Sequence, residues 1–202
     1  MAQAIVGSNP TLSVQYAPVA QWIRASDYGS EGQGFESSQA LQKLFVGQNL
    51  DSDLFWMGQA LELARQAAEK GEVPVGAVLV RNDVRIAEAF NLREESGSPI
   101  AHAEMLVIQA ASEKIGNWRF TDTTLYVTLE PCPMCAGAIV LARIPRVVYG
   151  TADPKSGAAG TLYNILQDER LNHRVELVNG VLADESGALL KSFFQKRRQN
   201  LL

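Results

Sequence analysis

Cysteine and histidine are scarce in this chain of 202 residues, which holds two of each: Cys132, Cys135, His102 and His173. Two cysteines three positions apart cannot make a disulfide framework. The fold must therefore rest on an apolar core, and the pair reads as a metal or redox site in a reducing compartment. Long apolar runs are also missing. None approaches the roughly 18 residues of a membrane span, so no membrane role is expected. The N-terminus lacks a basic start followed by an apolar stretch, its first charge being Arg24, and no secretory signal is expected. A cytoplasmic location follows. Excess positive charge is absent too, with a net charge of −4. Any nucleic-acid binding must then use a local basic patch.

Periodic structure is present only in the later part of the chain. Residues 1–50 are rich in Gly, Ser, Gln and Ala and show little periodicity, so they read as a poorly structured extension. From 51 to 202 the pattern is regular. Asp51 or Ser52 can cap a helix with Leu54, Met57, Leu61, Ala64 and Ala68 at helical spacing, ended by Gly71. Val73–Val80 and Arg85–Phe90 read as strands of a hairpin turning at Asn82–Val84. Ser98–Ser112 reads as a loop entering a helix, Thr123–Leu129 as a strand, and Pro133–Arg143 as a helix with proline in its first turn. A strand at Arg146–Gly150, a short helix near Leu162–Gln167, a strand at Arg174–Val178 and a terminal helix complete the series. Helices alternating with strands predict a three-layer α/β domain.

Two short motifs carry chemistry: His102-Ala103-Glu104 and Pro131-Cys132-Pro133-Met134-Cys135. Cys132 and Cys135 can reach one metal ion, and His102 can supply a third ligand. Three protein ligands leave a position open, as in catalytic zinc sites, whereas structural sites are closed by four. Both motifs stand where a loop becomes a helix, and unpaired backbone N–H groups there favour thiolate. Glu104 can share a pocket with His102 and move protons for a water activated by the metal. Taken alone, the cysteine pair also fits a redox dithiol or half a structural zinc site, His102 a core histidine, and Glu104 a first-turn acid. The combined order, H-x-E and then P-C-x-x-C about thirty residues later, is far more specific. It is the signature of zinc-dependent nucleobase deaminases, which remove ammonia from an amidine-like ring carbon.

From about Leu54 to Gln199 the chain resembles the bacterial tRNA-specific adenosine deaminases. The matching stretches are EVPVGAVLV, AHAE, TTLYVTLEPCPMCAGA, RVVYG, GAAG, NHRVE, LADE and FFQKRRQ. The zinc signature alone would also admit deaminases of cytidine, cytosine and guanine, and the further stretches favour the tRNA enzymes. The resemblance implies a cytidine deaminase-like α/β/α domain with a central mixed sheet and one Zn2+ per subunit, held by His102, Cys132 and Cys135. Glu104 would be catalytic. Asn91 would hydrogen-bond the flipped nucleoside, Val75, Gly76 and Ala77 would form a pocket wall, and the Ala103 backbone would lie close to the base. Asp153 and Lys155 would meet the anticodon loop, and Phe194, Arg197 and Arg198 would grip RNA from the last helix. The implied reaction converts the wobble adenosine of a tRNA anticodon to inosine, with the ACG anticodon of an arginine tRNA as the main substrate. The implied assembly is a homodimer with RNA touching both subunits. Leu92-Arg93 and Ala152 depart from the family pattern, so the lining beside Asn91 differs and one RNA contact is missing.

The residues of the last helix allow two readings. Lys191, Lys196, Arg197 and Arg198 form a basic cluster with no acid after Glu185, suited to phosphates, and Phe193 or Phe194 could stack on bases. An amphipathic helix with one phenylalanine in the core fits equally well. Asp153 and Lys155 also read as turn residues around Pro154. Residues before about Leu44 have a separate reading as the conceptual translation of an upstream tRNA gene. Gly34-Phe35-Glu36-Ser37 can be encoded by GGG TTC GAA TCC, a T-arm, and Ser26–Glu31 by a stem and loop with the anticodon ACG. Genuine translation would then begin downstream, at Leu44, Val46 or Leu50.

Overall fold

The computed structural model describes the backbone of residues 34–199 and the side chains of residues 50–199. The tRNA-gene reading concerns side chains, and for residues 1–33 also backbone, outside the described residues. Helix α1 (Gly34–Glu69) is helical through the position expected to start it, so neither Asp51 nor Ser52 is an N-cap. Its buried apolar residues are Trp56, Met57, Ala60, Leu61, Leu63, Ala64 and Ala67, which include the expected Met57, Leu61 and Ala64, while Leu54 is 41% exposed. The stripe differs from the expected one because Asp53 takes an inward position. Its carboxylate accepts two hydrogen bonds of 2.8 Å from the Arg146 guanidinium and one of 3.0 Å from the Tyr126 hydroxyl. A buried carboxylate needs such partners. At the other end, the Glu72 N–H donates to the Ala67 carbonyl and Gly71 has φ +79°, a Schellman-type stop.

Strands β1 (Gly76–Arg81) and β2 (Val84–Phe90) form an antiparallel hairpin. Asn82 and Asp83 both have positive φ, as a two-residue hairpin turn matching the strand twist requires. Helix α2 (Arg93–Ser96) is a single turn, and α3 (Ala103–Ile115) leads to β3 (Thr124–Leu129). Helix α4 (Pro133–Leu141), β4 (Arg146–Thr151), β5 (Glu176–Asn179) and α5 (Ala183–Gln199) follow. The sheet order is β2-β1-β3-β4-β5, antiparallel as far as β3 and parallel beyond it.

Alternate residues divide the core. Ala77, Leu79, Leu125, Val127, Val147 and Tyr149 pack under α3 and α4. Val78, Val80, Tyr126 and Val148 pack under α1. Gly150 shares the Val148 face, and Ser186 of α5 lies so close that a Cβ there would meet its Oγ at 2.6 Å. The mixed sheet is thus sandwiched between α3/α4 and α1/α5, the three layers that the sequence predicts. The expected helix near Leu162–Gln167 is absent: these residues form turns and an isolated bridge, Ala159 to Asn164. The preceding backbone N–H groups of Ala159 and Thr161 are drawn to the Glu130 carboxylate instead. No described helix is long and apolar enough to cross a membrane.

This topology brings several chain ends to one sheet edge. The start of β1 and the ends of β2, β3 and β4 lie side by side, as the Gly76–Phe90, Ala77–Val127 and Leu129–Thr151 pairings show. Ligand sites in open α/β sheets form outside the carboxyl ends of the strands.

Candidate active site

The edge holds a cavity of roughly 560 Å³. The first residue of each chemical motif enters it from a helix start. His102 is the N-cap of α3 and Cys132 the N-cap of α4, both with extended backbone and neither using its side chain as a cap. Pro133 occupies the first turn of α4, where a missing N–H costs nothing. The His102 Nδ1 atom lies 3.7 Å from the Cys132 Sγ and 3.5 Å from the Cys135 Sγ. The three ligand atoms fall within 4.8 Å of one another. This cluster could hold a metal ion. A donor set of two sulfurs and one imidazole suits zinc, and with His102 and Cys132 on the cavity wall a metal held there has room for a further ligand.

The electrostatics agree. A hydrogen bond from the Cys135 thiol, outweighing burial and aided by His102, brings Cys132 down to about 4. Cys135 is pushed up because that hydrogen bond keeps its own proton, with burial adding to the effect. Burial pushes the carboxyl of Glu104, only 4% exposed, up to about 7, where it can both give and take a proton.

Val75, Asn91, Glu104, Asp153, Lys155 and Phe194 line the cavity with His102 and Cys132. The Asn91 Oδ1 accepts a 2.8 Å hydrogen bond from the Ala103 N–H, which turns the amide NH2 toward the cavity. Ala103 itself is fully buried in the core. Gly76 and Ala77 do not line the cavity. Gly76 faces α1, where a Cβ would lie 2.1 Å from the Ala60 carbonyl oxygen, and Ala77 lies one pleat deeper, under α3. Asp153 caps its own turn, accepting from the Lys155 N–H at 2.9 Å and from the Ser156 hydroxyl. In α5, Gly187, Leu190 and Phe194 form one face of the cavity wall. Arg197 points elsewhere, to Glu94 at 3.4 Å and over the Phe193 ring at 6.0 Å, and Arg198 is exposed. Contrary to expectation neither phenylalanine is a core residue: Phe193 is half-buried and Phe194 is 42% exposed.

Several lining residues were not expected, Leu190 and Glu130 among them. Leu190 gave no signal beyond its element, whereas Arg93 stands in the stretch beside Asn91 that departs from the family pattern. Glu130 could have been found, because a carboxylate directly after the apolar strand TLYVTL must be buried or capped.

The fold and the site together define a deaminase: residues 51–198 match the family model of MafB19-like deaminases, on a cytidine deaminase-like three-layer scaffold. More particularly, the chain belongs to the tRNA-specific adenosine deaminases. It is 55% identical over 150 residues to the tRNA-specific adenosine deaminase of Bacillus subtilis, covering 74% of this chain and 93% of that protein. The enzyme of that name from Streptococcus pyogenes is 47% identical over 151 residues, covering 75% and 95%. A solved structure from biochemical and structural studies of A-to-I editing by tRNA:A34 deaminases matches with a TM-score of 0.65 and 43% identity, covering 67% of this chain and 99% of that one.

Proposed function

We propose that this enzyme converts the wobble adenosine of a tRNA anticodon to inosine, with the ACG anticodon of arginine tRNA as its main substrate. The observation that carries this reading is one cavity lined by His102, Cys132, Glu104 and Asn91, with Cys135 buried behind the first two and completing their cluster. The named relatives supply the substrate class. His102, Cys132 and Cys135 would hold Zn2+, which supplies Lewis acidity and brings the pKa of water at the site toward neutrality. Glu104 accepts a proton from the attacking water and delivers it to the ring nitrogen. It then takes the remaining proton from the added oxygen and passes it to the departing amine, so adenosine and water give inosine and ammonia. The Asn91 NH2 orients the flipped nucleoside, because its other amide atom is already committed to Ala103. Val75, Leu190 and Phe194 supply apolar wall against which a base can pack and from which water is excluded. Lys155 at the rim, and Arg198 beyond it on α5, face the phosphates.

A homodimer is part of the proposal. Met134, Gly137, Ala138 and Leu141 line a face of α4 that the rest of the described chain covers only in part, with Leu141 69% exposed. The cytoplasm, where tRNA is modified, is the proposed location.

The test is inosine detection by nucleoside mass spectrometry after incubation with ACG and GCG anticodon stem-loops, free adenosine, cytidine and guanine. Inosine in the ACG stem-loop alone is expected. Glu104→Ala should keep one zinc per chain and RNA binding, with turnover lost. Deamination of a free base or nucleoside, with the stem-loop untouched, overturns the reading.

A further inference from the structure

A second buried carboxylate borders the cavity and has no part in the chemistry above. Glu130 follows β3, is 2% exposed, and accepts four hydrogen bonds from a single loop. One oxygen receives the Ala159 N–H at 2.9 Å and the Thr161 N–H at 3.1 Å. The other receives the Asp153 N–H at 3.0 Å and the Thr161 hydroxyl. The loop closes over the carboxylate at Gly157, where a Cβ would lie 2.3 Å from Oε2. The same loop presents Asp153, Pro154, Lys155 and Ser156 to the cavity. It contains no helix or strand, and the side chain of Asp153 is occupied within it. Its shape therefore depends on an anchor from outside, and Glu130 provides one from the rigid end of β3.

We propose that Glu130 is a positioning residue for RNA docking: it fixes residues 153–161 as the cavity wall that receives the anticodon loop. This rests on the tRNA deaminase reading. A glutamine cannot substitute for it. The amide keeps one acceptor oxygen, but in either orientation its NH2 faces a backbone N–H that has no lone pair to offer: Asp153 in one, Ala159 and Thr161 in the other. A charge-assisted hydrogen bond is lost and a donor–donor repulsion replaces it.

The experiment uses zinc-loaded full-length protein and an ACG anticodon stem-loop. Glu130→Gln should raise KM by about tenfold or more, the equivalent of one charge-assisted hydrogen bond. Its kcat should stay within about threefold of wild type, with zinc content unchanged. Without RNA, the amides of Asp153, Ala159 and Thr161 should exchange hydrogen faster, while those of β1 and β3 should not. Gly157→Ala, which pushes the loop off the carboxylate from the other side, should reproduce the pattern if the glutamine variant does not fold. Wild-type KM with unchanged loop exchange overturns the proposal. So does a fall in kcat accompanied by zinc loss, which would make Glu130 a support of the metal site. If wild-type protein leaves the stem-loop unmodified, the deaminase reading fails first and the docking role fails with it.

Discussion

Gly76→Ala separates two roles for one residue. The resemblance implies that Gly76 belongs to the pocket wall, whereas the structure seats it against α1. A Cβ there would lie 2.1 Å from the Ala60 carbonyl oxygen, 2.7 Å from the Ala64 nitrogen and 2.8 Å from the Leu63 Cβ. Two of these are backbone atoms, so no rotamer change makes room. Carbon and oxygen in contact sit roughly 3.3 Å apart or more, so α1 must retreat by about 1 Å. That opens the close-packed seam in which Trp56, Met57 and Ala60 meet Val78 and Tyr126. Overpacking costs about 1–3 kcal/mol, and a clash between backbones belongs at the upper end. At about 2–4 °C per kcal/mol for a chain of this size, Tm should fall by about 6–12 °C. The assay is thermal unfolding, with zinc content and stem-loop KM measured at 25 °C. Zinc and KM should hold while Tm falls. An unchanged Tm with a raised KM would refute the packing argument and return Gly76 to the pocket.

Other perturbations test other parts of the structure. Arg146→Ala leaves the buried Asp53 carboxylate with only the Tyr126 hydroxyl as partner and should destabilise the fold by about 3 kcal/mol in denaturant titration, without altering activity below the transition. Asn91→Asp keeps the acceptor for the Ala103 N–H but removes the NH2 donor, so kcat/KM on the stem-loop should fall by about a hundredfold at little cost in Tm. Chelation should abolish turnover and lower Tm, zinc should restore both and magnesium neither, because the donors are two sulfurs and an imidazole. Arg198→Glu should weaken binding of all RNA stem-loops alike, and the slope of log affinity against log salt should become shallower by about one or more.

Much of the sheet could be read from local pattern because its strands are buried and β-branched, and Gly71 and Asn82-Asp83 supply turn chemistry that sequence displays. The metal cluster was legible for a different reason: few residue types bind zinc, and His102, Cys132 and Cys135 are nearly all the chain has. What sequence hid was which direction each side chain faces. Asp53 turns inward because Arg146, far along the chain, meets it there, and this displaces Leu54 to the surface. Val75 and Gly76 are neighbours, yet the pleat sends one to the cavity and the other to α1. The segment Leu162–Gln167 has the composition of a short helix, but its Leu162 and Tyr163 N–H groups bond back to the Gly157 carbonyl and its Ile165 N–H to the Ala158 carbonyl, on the loop that Glu130 holds. Each of these outcomes depends on a partner distant in sequence, which period and propensity do not register.

Glu104 and Glu130 show how one cavity gives the same side chain two tasks. Both are nearly inaccessible, and burial opposes charge on each. Around Glu104 that effect prevails and the carboxyl is pushed up to about 7, although a backbone hydrogen bond and His102 pull the other way. Around Glu130 it does not: hydrogen bonds from Thr161, Asp153 and Ala159 together outweigh burial and hold the carboxyl below its usual range. A group whose two protonation states are balanced can exchange a proton with substrate, whereas a group locked as an anion can only hold what donates to it. The environments drive the pair apart, and that separation assigns the roles. Glu104, beside the His102/Cys132/Cys135 cluster with few donors around it, is suited to the proton transfer proposed for it, and Glu130, inside a ring of donors, to fixing a wall. Exchanging their surroundings, rather than their identities, would exchange their tasks.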